Sequence, residues 1–86
     1  MSESTDASSG YVSKTLDLTG LKCPEPVMML HVQFRQLVAG EQVRILTTDP
    51  TTKRDIPKFC EYLGHSLLES RQTEAGFEFL VRKESA

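Results

Sequence analysis

Apolar and polar residues alternate across Thr15, Leu16, Asp17 and Leu18, the period-two pattern of a short strand, and Gly20 then breaks it. From Cys23 onward the repeat lengthens. Val27, Leu30, Phe34, Leu37 and Val38 fall on one stripe of a 3.6-residue period, which predicts a first helix with that stripe toward the core and Gly40 as its stop. Val43, Ile45 and Thr47 then alternate with Gln42, Arg44 and Leu46, a second strand, and Asp49-Pro50 marks the turn after it. Ile56, Phe59, Cys60 and Leu63 repeat the helical spacing. Pro57 lies inside that pattern and lacks a backbone donor, so the second helix is expected to have a loose first turn from Thr51 and regular geometry from Asp55 to Gly64. Residues 66–73 and 77–83 read as two strands around the hairpin loop Glu74-Ala75-Gly76. Phe77, Phe79 and Val81 share one side of the last strand; Glu78, Leu80 and Arg82 share the other.

The resulting order is βαβαββ. Right-handed crossovers place both helices on one face of the sheet. The fold class is therefore α/β of the α+β type: a two-layer sandwich with a mixed four-stranded sheet, whose second face is left to solvent or a partner. Residues 1–13 are dominated by Ser, Thr and acids and are expected to form a flexible tail, leaving 14–86 as a single domain.

Composition narrows the function. The chain has 86 residues, with 12 acidic and 10 basic side chains and a net charge of −2. That balance argues against a stable nucleic-acid binder working through a broad basic footprint. A domain this small does not enclose a large cleft, so its chemistry is expected at the surface and completed by a partner. No apolar run approaches the roughly 20 residues of a membrane span. The first residues are polar and acidic and lack the basic and apolar regions of a secretory signal. The expectation is a soluble cytoplasmic protein with free thiols and no membrane association.

The chemistry concentrates in Gly20-Leu21-Lys22-Cys23-Pro24-Glu25-Pro26. Two prolines so close together suit only the first turn of a helix, where backbone N–H groups lack intrahelical partners. With Pro24 as the first helical residue, Cys23 becomes the N-cap. Cysteine is a poor cap compared with Ser, Thr, Asp or Asn, so something other than helix stability accounts for the sulfur. A helix N-terminus offers partial positive charge and free donors, which favour thiolate over thiol. Lys22 adds a cation and Glu25 pushes the other way. Cys23 is thus the candidate nucleophile and sulfur acceptor, held on a rigid turn by Pro24 and Pro26. Cys60, on the apolar stripe beside Phe59, reads as inert core packing, and no Cys23–Cys60 disulfide is expected.

The remaining candidates are weaker. Cys23, His31, Cys60 and His65 lack the spacing of a metal site, and both histidines read as packing or capping residues. No base for hydrolytic chemistry at Cys23 is evident. Met28, Met29 and Val32 form a second apolar patch on the first helix. It is either the second buried side of that helix or an adaptable contact surface for a partner approaching the thiol. Lys53, Arg54 and Lys58 make the outer side of the second helix basic, which reads as a solvated face or a dock for an acidic partner.

Two blocks make the chain recognisable. Residues 18–28, Leu-Thr-Gly-Leu-Lys-Cys-Pro-Glu-Pro-Val-Met, resemble the CPxP signature of the TusA/SirA/YedF family, and residues 49–60 resemble its second block. The likeness spans roughly residues 15–83, the closing hairpin included. It implies the same βαβαββ sandwich. It also implies a cytoplasmic sulfur carrier, a sulfurtransferase that works as a relay rather than through a substrate pocket. On that reading Cys23 accepts persulfide sulfur from an IscS-like cysteine desulfurase and passes it to a TusBCD-type complex for 2-thiolation of the tRNA wobble uridine. No cofactor is implied for the carrier itself, since PLP belongs to the desulfurase. Lys22, Pro24, Glu25, Pro26, Met28, Met29 and Arg54 are the accompanying motif or partner-contact candidates. Asp49 and Asp55 also match family positions, with no chemical step attached. Two alternatives remain: the same carriage feeding sulfur oxidation, molybdenum-cofactor assembly or selenium metabolism, and a regulatory module in which the cysteine is dispensable.

Overall fold

A computed structural model describes residue 12 and residues 14–84; the expected tail, residues 1–13, lies almost wholly outside the described residues. The elements follow in the order β1 (Lys14–Leu18), α1 (Glu25–Phe34), β2 (Gln42–Thr47), α2 (Thr52–Leu63), β3 (Ser66–Thr73) and β4 (Gly76–Arg82). They form one mixed sheet of four strands in the order β1-β2-β4-β3. β1 lies parallel to β2 and is joined to it through α1, while β4 runs antiparallel to both β2 and β3.

Alternation along the strands decides which face is buried. Val43, Ile45, Phe79 and Val81 point to the helical side and meet Leu30 and Phe34 of α1 and Ile56, Phe59 and Cys60 of α2 in a single core. A large aliphatic or aromatic side chain fully removed from water contributes roughly 1.5–3 kcal/mol, so these few residues supply most of the drive for a chain this short. The opposite face is polar. There Arg44 of β2 pairs with Glu78 of β4 at 3.0 Å, and Arg71 of β3 reaches Glu78 at 3.1 Å. Leu80, paired with Arg44 across the strands, is buried on this face.

The first helix departs from its predicted limits; the second keeps to them, with Thr51 and Gly64 as its caps. α1 ends at Phe34, before Gly40, and Arg35 is its C-cap. Leu37 is still buried, but Val38 turns out to solvent, 66 % exposed. Lys83, from the far end of β4, meets this helix end. Its buried Nζ donates to the carbonyl of Phe34 at 2.6 Å and to that of Leu37 at 2.9 Å, satisfying acceptors that the helix end leaves open.

α2 begins at Thr52. Its first turn is tight: Lys53 and Arg54 donate three residues back, to Pro50 and Thr51, and Asp55 is the first to donate four back, to Thr51 at 2.9 Å. Pro57 therefore sits one turn into the helix. Gly64 caps the other end with φ +80. Leu63, expected on the core stripe, is largely exposed.

The hairpin is one residue tighter than its predicted loop. Thr73 pairs with Gly76, leaving Glu74-Ala75 as a two-residue turn. Position 76 requires glycine because φ is +146 and a Cβ there would collide with the Thr47 carbonyl of β2. No helix among the described residues is long and apolar enough to cross a membrane.

Candidate functional site

The parallel pairing of β1 and β2 determines where the chemistry sits. Their C-terminal loops emerge side by side at one end of the sheet and bond to each other. Gly20 N–H donates to Thr48 Oγ1 at 2.9 Å, and Cys23 N–H donates to Asp49 Oδ2 at 2.6 Å. The other Asp49 oxygen accepts Thr51 N–H at 3.0 Å, so one carboxylate joins the turn before α2 to the cysteine loop. The Thr51 and Cys23 N–H groups hold the Asp49 carboxyl below its ordinary value, the Thr51 bond contributing most.

Cys23 is exposed and free. It stands at the second position of a turn closed by Glu25 N–H to Lys22 O at 2.8 Å, and the Cys23–Pro24 peptide bond is cis. The N-cap of α1 is Pro24, not Cys23, and Pro26 rather than Pro24 lies within the first turn. The helix start is consequently less available than its sequence suggests. Glu25 N–H is used by the turn, and position 26 has no N–H to offer. The hydrogen bond of the sulfur runs instead to α2, where Asp55 Oδ2 lies 3.7 Å from Sγ. Asp55 Oδ1 accepts Arg54 Nε at 3.2 Å.

A groove of about 770 Å³ opens beside the sulfur between α1 and α2. Cys23, Pro24 and Val27 form one wall; Asp55, Lys58, Phe59 and Tyr62 form the other. His31 also lines it and stands edge-on to Phe59 with ring centroids 5.0 Å apart. Sequence reasoning expected no pocket here. The groove arises from the angle at which two helices meet, which no local pattern encodes. Asp55, which lines the groove, and Asp49, which lies outside it, are both marked in the sequence, but their convergence on Cys23 is not.

The other candidates separate clearly. Lys22 and Glu25, flanking the cysteine in sequence, are exposed, and Pro26 is buried. Met28 is 57 % exposed, and Met29 and Val32 are also open, which overturns the reading of α1 as buried on two sides. Lys53, Arg54 and Lys58 are all exposed, as a solvated face requires; Arg54 pairs with Asp55, Lys58 faces the groove, and Lys53 lies 5.9 Å from the Phe77 ring.

Cys60 is buried, and burial pushes its thiol up to about 11. His65 packs on Phe34 and Phe59 and accepts Glu84 N–H at Nδ1, 3.2 Å, a packing role as expected. Burial lowers its pKa. Among the described residues no three His, Cys, Asp or Glu side chains converge as a metal site.

The structure is thus a small two-layer domain that presents an exposed cysteine on a pinned loop beside an open groove. Comparison with known proteins makes this specific. The family profile described as Sulfurtransferase TusA matches residues 14–83. A sulfur carrier protein TusA of Pseudomonas putida is 53 % identical over 70 residues, covering 81 % of this chain and 88 % of that protein. One of Pseudomonas paraeruginosa is 49 % identical over 74 residues, covering 86 % and 94 %. The crystal structure of a SirA-like protein from Desulfitobacterium hafniense superposes with a TM-score of 0.70 over 85 % of this chain and 99 % of its own; at 23 % identity it supports the fold. The chain belongs to the TusA family of sulfur carrier proteins.

Proposed function

We propose that Cys23 carries the sulfur. In this reading the chain acts as a sulfurtransferase. It takes a sulfur atom as a persulfide on Cys23 from an IscS-like cysteine desulfurase and hands it to a TusBCD-type relay for 2-thiolation of the tRNA wobble uridine in the cytoplasm. The observation that carries the reading is the exposed Cys23 thiol on a loop fixed by the 2.6 Å bond from its own N–H to Asp49. A carrier needs a nucleophilic sulfur that two partners reach in turn, and a surface thiol on a rigid turn meets that need. The buried Cys60 does not compete. The likeness to sulfur carrier proteins named TusA supports the sulfur-carrying role. PLP is the desulfurase's, and the carrier uses no cofactor of its own.

Transfer conserves electrons. The Cys23 sulfur forms a bond to the outer sulfur of the donor persulfide, and the donor's S–S bond breaks. Its electron pair leaves on the donor cysteine, which takes up the proton lost by Cys23. The test is intact-protein mass spectrometry after incubation with a cysteine desulfurase, PLP and cysteine. One added sulfur atom is expected, reversible by reductant and absent in Cys23→Ser. No gain on folded protein would overturn the proposal. Passage of the label to a TusBCD-type complex, and from there to tRNA, tests the downstream step.

A further inference from the structure

Asp55 contacts the reactive sulfur yet takes no part in the transfer described above. Its Oδ2 accepts the Cys23 thiol at 3.7 Å, and its carboxylate is held in place from the other side by Arg54 Nε at 3.2 Å. The side chain is only 21 % exposed, so this charge is placed rather than free to swing. We propose that Asp55 is a specificity-determining positioning residue, which holds the unloaded Cys23 thiol by its S–H and screens it from small anionic sulfur donors, reserving it for a protein donor. The inference rests on Cys23 being the sulfur-bearing residue.

The argument is electrostatic. The carboxylate accepts from the S–H, so its negative charge stands beside the sulfur that an incoming donor must reach. An anion arriving at Sγ must also approach Asp55, and at such separations charge repulsion is felt even near a surface. The other charged neighbours differ in kind. Lys22 and Glu25 are exposed beside the cysteine on its own loop and helix. Asp49 spends its oxygens on the Cys23 and Thr51 N–H groups. Across the groove Lys58 and Glu61 are exposed, and His31 lies against Phe59. Of these groups Asp55 is the one bonded to the sulfur itself. A protein donor escapes the screen by delivering a persulfide on a neutral surface or by bringing its own cation to Asp55.

The chemistry screened against is the same exchange. A small persulfide R–S–SH and Cys23–SH give R–SH and Cys23–S–SH: the Sγ–S bond forms, the R–S bond to the outer sulfur breaks, and the Cys23 proton ends on the departing sulfur. Glutathione persulfide, which carries net negative charge, is the probe. Intact mass spectrometry of the full chain follows sulfur gain for wild type, Asp55→Asn and Asp55→Glu, with folding checked by circular dichroism.

Asp55→Asn is expected to load about three- to tenfold faster than wild type, and Asp55→Glu to restore slow loading. Alkylation supplies the readout that simple loosening of the loop would not move. Asp55→Asn raises the rate with anionic iodoacetate more than with neutral iodoacetamide, whereas loosening raises both equally. Equal loading rates in wild type and Asp55→Asn, or an unchanged ratio between the two alkylating agents, overturn the assignment. Failure of the wild-type protein to take sulfur from either the desulfurase or glutathione persulfide overturns the carrier reading instead, and with it any part for Asp55 in sulfur transfer.

Discussion

Cys23 and Asp49 lie 26 positions apart in sequence, and a 2.6 Å hydrogen bond joins the backbone N–H of the first to a carboxylate oxygen of the second. The bond fixes the reactive loop from outside, through the turn that starts the next helix. Asp49→Ala removes the acceptor for both Cys23 and Thr51 N–H, so the loop loses its position while the core stays intact. Sulfur loading by the desulfurase should fall by roughly tenfold or more, as misplacement of a reacting group does. Mass spectrometry gives the rate, and circular dichroism establishes that the fold persists.

The lowered Asp49 carboxyl also has a consequence for acid stability. A carboxylate whose folded-state pKa is depressed adds stability that is present above its ordinary value of 3.8 and is lost as pH falls through the folded value. Denaturant melts between pH 5 and pH 2 should show the midpoint dropping for the wild type and dropping less steeply for Asp49→Asn.

His65 acts in a higher window. Burial lowers its pKa, so the unfolded chain takes up the proton first as pH falls below 6.5, and stability declines from there toward the folded value. Melts at pH 7.5, 6.5 and 5.5 should show that decline, and His65→Phe should flatten it while keeping the ring contacts with Phe34 and Phe59.

Lys83 offers a test of the core far from the sulfur. Lys83→Met leaves the Phe34 and Leu37 carbonyls without their buried donor and should destabilise the protein by about 2 kcal/mol, read from denaturant melts. Sulfur loading at a temperature where the variant remains folded should be unchanged.

That same lysine lies where the reading of the chain departs most from the structure. Apolar spacing continues through Leu37 and Val38, so periodicity alone carries the first helix on to Gly40. The helix stops at Phe34, where a side chain 49 residues away donates to its end carbonyl, and Val38 is turned to solvent. Where burial follows local period, the reading holds: the alternation of β2 from Val43 to Thr47, the Ile56-Phe59-Cys60 face of α2, and the exposed Cys23 against the buried Cys60. Asp55 was legible as an acidic residue in a first helical turn. Its contact with Sγ needed α2 to be laid beside the cysteine loop, and that is set by packing between distant segments.

The exposed patch beside the sulfur makes a prediction of its own. Replacing Met28 and Met29 together by Gln should leave the melting temperature within a few degrees of wild type and weaken desulfurase binding, measured by titration calorimetry. Unchanged affinity would show that donors reach Cys23 from another side.

The pairing of β1 with β2 has a consequence reaching beyond the sheet. Leu16 opposes Ile45 and Leu18 opposes Thr47, only a few residues before Cys23 and Asp49 on their respective chains. A slip of this edge strand by one residue would turn Leu16 and Leu18 to the polar face and shift the cysteine by about 3.3 Å along its neighbour, beyond the reach of Asp49. The fidelity with which an edge strand finds its partner during folding thus sets the place of the cysteine as well as the burial of Leu18.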